Sequence, residues 1–189
     1  MTRLTATLSA IDAANEADPD RSEGSPAARL YGERMTAELL RILPDASDEL
    51  RIAARGQHIE RWKTPRSAYP DGREGYLTWR RDLGGFHARR VGEIMAENGY
   101  GQPAIDHVGR MIRKEGIKRD ADVQLLEDVI CFTFLRWYFH PFADGRSDES
   151  LTHIVARTAR KMSAGARQRA LAEFDLPEFL AEAVRSAGA

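Results

Sequence analysis

Residues 121–139 read Ala-Asp-Val-Gln-Leu-Leu-Glu-Asp-Val-Ile-Cys-Phe-Thr-Phe-Leu-Arg-Trp-Tyr-Phe. No glycine or proline interrupts this run, and Asp120 stands in front of it as an N-cap. Val123, Leu125, Leu126, Val129, Ile130, Phe132, Phe134 and Leu135 spread around most of a helical cylinder. A helix apolar nearly all round must be buried, which predicts that this one lies at the centre of a helical bundle. Glu127 and Asp128 fall in its middle. A buried carboxylate has to be paired, metal-bound or protonated, so both are candidate functional residues unless Arg113, Lys114 or Arg136 pairs with one of them.

Helical periodicity extends outward from this segment. Leu4, Leu8, Ile11 and Ala14 predict a first helix that ends before Asp18-Pro19-Asp20. Ser25 as N-cap and Pro26 as first helical residue predict a second, carried by Leu30, Met35, Leu39, Leu40 and Leu43 as far as Pro44. Ser47, followed by Asp48 and Glu49, predicts a third that runs to Glu60. A fourth is expected over residues 76–98, closed by Gly99, and a fifth from Pro103 to Gly116. Ser147 starts a seventh that ends near Met162, and the acidic tail has room for one or two more. There is no alternating strand pattern and no internal repeat. The expected class is all-α, a single-domain helical bundle over residues 1–189.

The 189 residues carry 28 Lys and Arg against 29 Asp and Glu. This near-neutrality conceals an uneven distribution. Residues 51–119 hold 15 basic and 8 acidic residues, a balance of +7, and the remainder holds 13 and 21, a balance of −8. A basic middle in an acidic frame points to an anionic partner. A small phosphorylated ligand or nucleotide fits better than a long nucleic acid, which favours a net basic domain. The single cysteine, Cys131, excludes an internal disulfide framework and a cysteine-based zinc knuckle. No stretch approaches the ~18 consecutive apolar residues of a membrane span. Residues 1–10 contain no long apolar run, so the expectation is a cytoplasmic protein without a secretory signal.

The longest irregular stretch, 62–75, contains Pro65, Pro70, Gly72 and Gly75, and long ordered loops are often functional. Arg61, Trp62, Arg66, Tyr69, Tyr76 and Arg80 interleave cations with aromatic rings in and beside it. Guanidinium groups fork onto phosphate oxygens and aromatic faces stack on bases, so these are candidate substrate-binding residues. Arg113 and Lys118 are added to them as a second basic cluster. Within that cluster Lys114 and Glu115 are candidate catalytic residues, Glu115 having the wrong sign for a helix C-terminus. His58 and His87 lie on two different predicted helices. With Asp128 they supply the imidazole and oxygen donors that a divalent metal ion uses. Glu127 or Glu115 would orient a ligand or act as general base. Arg160-Lys161-Met162-Ser163-Ala164 echoes a loop of class I aminoacyl-tRNA synthetases. The chain lacks the strand–helix alternation of their nucleotide-binding sheet, so that echo is set aside.

The sequence resembles the DUF4202 family of small helical proteins over nearly its whole length. The resemblance is carried by Ile11-Asp12-Ala13-Ala14-Asn15, Tyr31-Gly32-Glu33-Arg34-Met35, Ala53-Ala54-Arg55-Gly56-Gln57-His58, the loop with Arg66, Tyr69-Pro70 and Gly72, Tyr76-Leu77-Thr78-Trp79-Arg80, Phe86-His87, Ile112-Arg113-Lys114-Glu115 and Gln124-Leu125-Leu126-Glu127-Asp128-Val129. A weaker resemblance is to HD-domain metal phosphohydrolases, and it implies an HD-like helical bundle. Gln57-His58 stands where that pattern has His-Asp, and Tyr31 or Arg34 stands in place of its first histidine. Asp128 is similar to its last aspartate, and His87 to an extra histidine of some branches. The expected function is a metal-dependent phosphohydrolase acting on a nucleotide or other small phosphorylated molecule. In it the metal held by His58, His87 and Asp128 activates water. A non-catalytic nucleotide- or RNA-binding module is the alternative, and an HD-type di-iron oxygenase the third reading.

Overall fold

The computed structural model describes residues 1–187, and among them every regular element is helical. The chain divides into two compact units, Met1–Glu115 and a second that begins at Gly116.

The first unit contains α1 (Arg3–Asn15), α2 (Ala27–Ile42), α3 (Asp48–Gly56), α4 (Gly72–Glu97) and α5 (Gln102–Arg113). Two single 3₁₀ turns, Arg61–Lys63 and Arg66–Ala68, lie between α3 and α4. The short α3 is central here: α1, α2, α4 and α5 all pack against it, and α4 runs along α5. Glycine makes this packing possible. A Cβ on Gly32 of α2 would stand 2.6 Å from the Arg55 carbonyl oxygen, and one on Gly56 would stand 2.4 Å from a Val91 methyl of α4. Around α3 the side chains of Ile11, Met35, Leu39, Ile52, Ile94, Met95, Met111 and Ile112 are buried. Arg55 forks onto both oxygens of Asp12 at 2.6 Å, which ties α3 to α1.

Some helix ends follow the sequence signals and others do not. Ser47 caps α3, its hydroxyl accepting the Leu50 N–H at 3.2 Å. Gly99, at φ 79°, closes α4 with the two reversed bonds Gly99 N–H to Ala96 O and Tyr100 N–H to Met95 O, each 3.0 Å. Ser25, in contrast, is not the cap of α2. Pro26 occupies that position, and Asp18 accepts the Ala28 N–H at 2.8 Å from ten residues upstream. Helix α3 stops at Gly56 instead of Glu60, and the chain turns through Glu60 in the left-handed region, φ 49°. Asn15 receives the Glu60 N–H at 2.8 Å and fixes that turn. Helix α4 begins four residues earlier than the periodicity predicts. A Cβ on Gly75 in its first turn would stand 2.0 Å from the Pro70 carbonyl oxygen.

The second unit contains α6 (Ala121–Thr133), a π-helical turn (Phe134–Tyr138), α7 (Phe139–Ala143), α8 (Asp148–Ala159), α9 (Ala164–Glu173) and α10 (Glu178–Ser186). The single helix expected over 121–139 is thus broken at Thr133, where the backbone widens to a π turn. Asp120 caps α6 by accepting the Asp122 and Val123 N–H groups, and Ser147 caps α8 by accepting the Ser150 N–H. Helix α10 packs on α8 and α9, and the Phe132 ring of α6 meets Phe174 at 5.8 Å. No helix among the described residues is long and apolar enough to cross a membrane.

Candidate functional site

The two candidate histidines meet in the first unit. His58 sits in the turn after α3 and His87 in the middle of α4, with ring centroids 6.1 Å apart. Gly56 permits this meeting, because it brings α3 against Val91, one turn of α4 beyond His87. Tyr31 of α2 stacks on His58 at 3.7 Å and 14° between planes, and Phe86 lies 5.6 Å from His87. Tyr31 was not among the expected site residues. A tyrosine on an amphipathic helix has no local signature that distinguishes stacking on an imidazole from ordinary packing.

His58 is half-buried, whereas His87 is 2% exposed. Neither ring nitrogen of His87 has a hydrogen-bond partner, although the Ile59 backbone lies near enough to favour its protonated form. Burial dominates and holds His87 down at about 4, with the Arg61 and Arg80 guanidinium groups acting in the same direction. His58 is also held well below the ordinary histidine value. Burial comes first, then the positive charges of Arg61, His87, Lys114 and Arg80. Both imidazoles are therefore neutral at pH 7, beside cations.

Arg61 and Arg80 have no ion-pair partner among the described residues. The Arg61 guanidinium lies 4.9 Å over the ring of Trp79, whose indole N–H donates to the Thr64 carbonyl at 2.9 Å. Burial, and the charge of Arg80, lower the affinity of Arg61 for its own proton. Lys114 is the C-cap of α5, in the left-handed region at φ 62°. Two guanidinium groups and an ammonium thus act on one half-buried imidazole.

The other expected binding and catalytic residues have local roles. Arg66 donates to the Tyr69 and Pro70 carbonyls at 2.9 Å each, stapling its own turn. The Tyr69 hydroxyl donates to Asp82 at 3.4 Å. Trp62 is half-buried and Tyr76 exposed. Arg113 forks onto Glu115 at 2.7 and 3.1 Å on the surface, and this pairing keeps the Glu115 carboxyl low.

In the second unit, Asp128 is 6% exposed and engaged at both oxygens. One accepts the Ser163 N–H at 2.8 Å and the Gln124 amide at 3.0 Å, and the other accepts the Ser163 hydroxyl at 2.6 Å. Ser163 also caps α9 by accepting the Ala166 N–H, so Asp128 anchors a helix N-terminus. Burial raises its proton affinity, against the lowering effect of these bonds. Glu127 is 2% exposed, with Lys161 Nζ at 3.8 Å. Lys118 is exposed in the left-handed region, and its N–H donates to Gln124.

Among the described residues, no three His, Cys, Asp or Glu side chains gather closely enough to hold a metal ion. The His58–His87 pair offers two neutral imidazoles without a carboxylate, short of the three protein ligands that a catalytic divalent site takes. The donor set in place does not fit the expected metal. No curated protein and no solved structure matches the chain. The family described as "Domain of unknown function (DUF4202)" matches residues 5–184, and the chain belongs to that family.

Proposed function

We propose that the first unit binds a small phosphorylated molecule and hydrolyses its phosphate ester. One observation carries this reading: Arg61 and Arg80, without ion-pair partners, stand beside two neutral imidazoles, one of them buried with both nitrogens unpartnered. The half-buried Arg61 guanidinium has the exposed Arg80 as its charged neighbour and no counter-charge among the described residues, and an anion relieves that repulsion. A phosphoryl group suits the site because guanidinium forks match its oxygens.

The chemistry that follows uses the chain's own residues. Arg61 and Arg80 hold the phosphoryl oxygens and stabilise the charge that builds on them. A water molecule attacks phosphorus, forming the new P–O bond while the ester P–O bond breaks. The water's proton passes to a neutral imidazole, and His58, the less buried of the two, takes this role. The imidazolium then returns the proton to the leaving oxygen.

The test is calorimetric titration of the untagged full chain with inorganic phosphate and phosphate esters, alongside phosphate-release assays with EDTA or with added Mn²⁺. Phosphate binding that is lost in Arg61→Gln and Arg80→Gln, and turnover that is lost in His58→Gln with binding retained, are the expected results. Absence of phosphate binding in the wild-type chain refutes the proposal. Binding without turnover in any condition leaves a binding module and refutes the hydrolase.

A further inference from the structure

The segment 61–81 contains Trp62, Tyr69, Tyr76 and Trp79, and the structure gives them different surroundings. Trp79 is buried, carries Arg61 on its ring and is tied to Thr64. The Tyr69 hydroxyl is bonded to Asp82, and Trp62 is half-buried. Tyr76 is the exposed one of the four, with 41% of its surface open. It precedes Arg80 by four residues on α4, so the two side chains are neighbours on one helix face. Its phenol also lies near enough to the Arg61 guanidinium to act on it. The Trp79 ring stands 5.8 Å from it at 49° and braces it from one side. An open aromatic face therefore lies beside the two cations.

We propose that the phosphorylated ligand is a nucleotide, with its base on the exposed face of Tyr76 and its phosphate between Arg61 and Arg80. This rests on the phosphate reading above and narrows it. An exposed phenol offers little to a phosphate ester without a flat ring. It offers every base a stacking surface, because every base has a π-face. The exposed Tyr76 face thus separates nucleotides from other phosphate esters and discriminates weakly among bases.

The experiment compares adenosine 5′-monophosphate, ribose 5-phosphate and inorganic phosphate by calorimetry against wild-type, Tyr76→Ala, Tyr76→Phe and Leu77→Ala chains. Leu77 is 54% exposed on the same helix and serves as the control. In the wild type the adenosine nucleotide binds about tenfold more tightly than ribose 5-phosphate, the size of one base–aromatic stack. Tyr76→Ala abolishes that difference while ribose 5-phosphate binds as before, and Tyr76→Phe and Leu77→Ala preserve it. Equal wild-type affinities for the two, or a Tyr76→Ala chain that keeps the difference, overturns the nucleotide assignment and leaves the phosphate site standing. If none of the three ligands binds, the phosphate site itself falls.

Discussion

Acidification from pH 7.5 to 5 removes about 2 kcal/mol of folding stability through His87 alone. The side chain is 2% exposed, and burial lowers it from an ordinary 6.5 to about 4. A base depressed on folding binds fewer protons folded than unfolded. Its contribution is therefore complete above 6.5 and is lost as the pH falls from there towards 4. At pH 5 the unfolded imidazole is almost fully protonated and the folded one almost fully neutral. Two and a half pH units of displacement correspond to a ceiling of about 3 kcal/mol, most of it already lost at pH 5. His58 changes stability in the same direction. Urea unfolding of wild-type and His87→Gln chains at pH 7.5, 6.5, 5.5 and 5.0 measures the effect. Only the slopes against pH are compared, so any intrinsic cost of the substitution cancels. The variant should lose about 2 kcal/mol less than the wild type across this range. Parallel curves would refute the claim that His87 is held neutral by burial.

Three further perturbations test the packing. Ser163→Ala removes the cap of α9 and leaves a buried Asp128 oxygen without its hydroxyl donor, so a loss of about 1–3 kcal/mol is expected in chemical unfolding. Thr133→Val should stabilise the chain by about 1 kcal/mol, seen as a raised melting temperature, because the buried Thr133 hydroxyl has no hydrogen-bond partner among the described residues. Gly56→Ala forces a methyl against Val91 and should cost about 1–3 kcal/mol in urea unfolding. Val91→Ala in the same chain should restore part of that loss, and a double variant no more stable than Gly56→Ala would show that the contact is not the cause.

What was legible in the sequence was local. Ser47, Asp120 and Ser147 cap the helices they precede because each bond closes within three residues. Gly99 closes α4 for the same reason. The cap of α2 was not legible, since Asp18 reaches Ala28 across a loop that no short pattern encodes. Nor was the break at Thr133, because apolar periodicity continues through the π turn although the backbone bonds change partners. The glycines around 72–75 read as a loop, yet Gly75 lies in the first turn of α4, against the Pro70 carbonyl. The site divides in the same way. Residue types singled out His58, His87, Arg61 and Arg80, but not the direction of any side chain. Arg66 is drawn to its own turn's carbonyls, and Asp128 to Ser163, thirty-five residues along the chain.

The two arginines beside the histidine pair have a consequence for how affinity varies with acidity. Histidines at an anion site usually make capture stronger as the solution becomes more acid. Here the fixed positive charge resides on guanidinium groups, which keep their protons throughout the physiological range, while His87 stays neutral down to about 4. Between pH 5 and 8 the charge of the two guanidinium groups and of His87 hardly changes. The ionisation that does change is the ligand's, since a phosphate monoester passes from one negative charge to two near pH 6. Affinity should then rise with pH along the ligand's titration curve, so that the bound molecule, rather than its receptor, senses the proton.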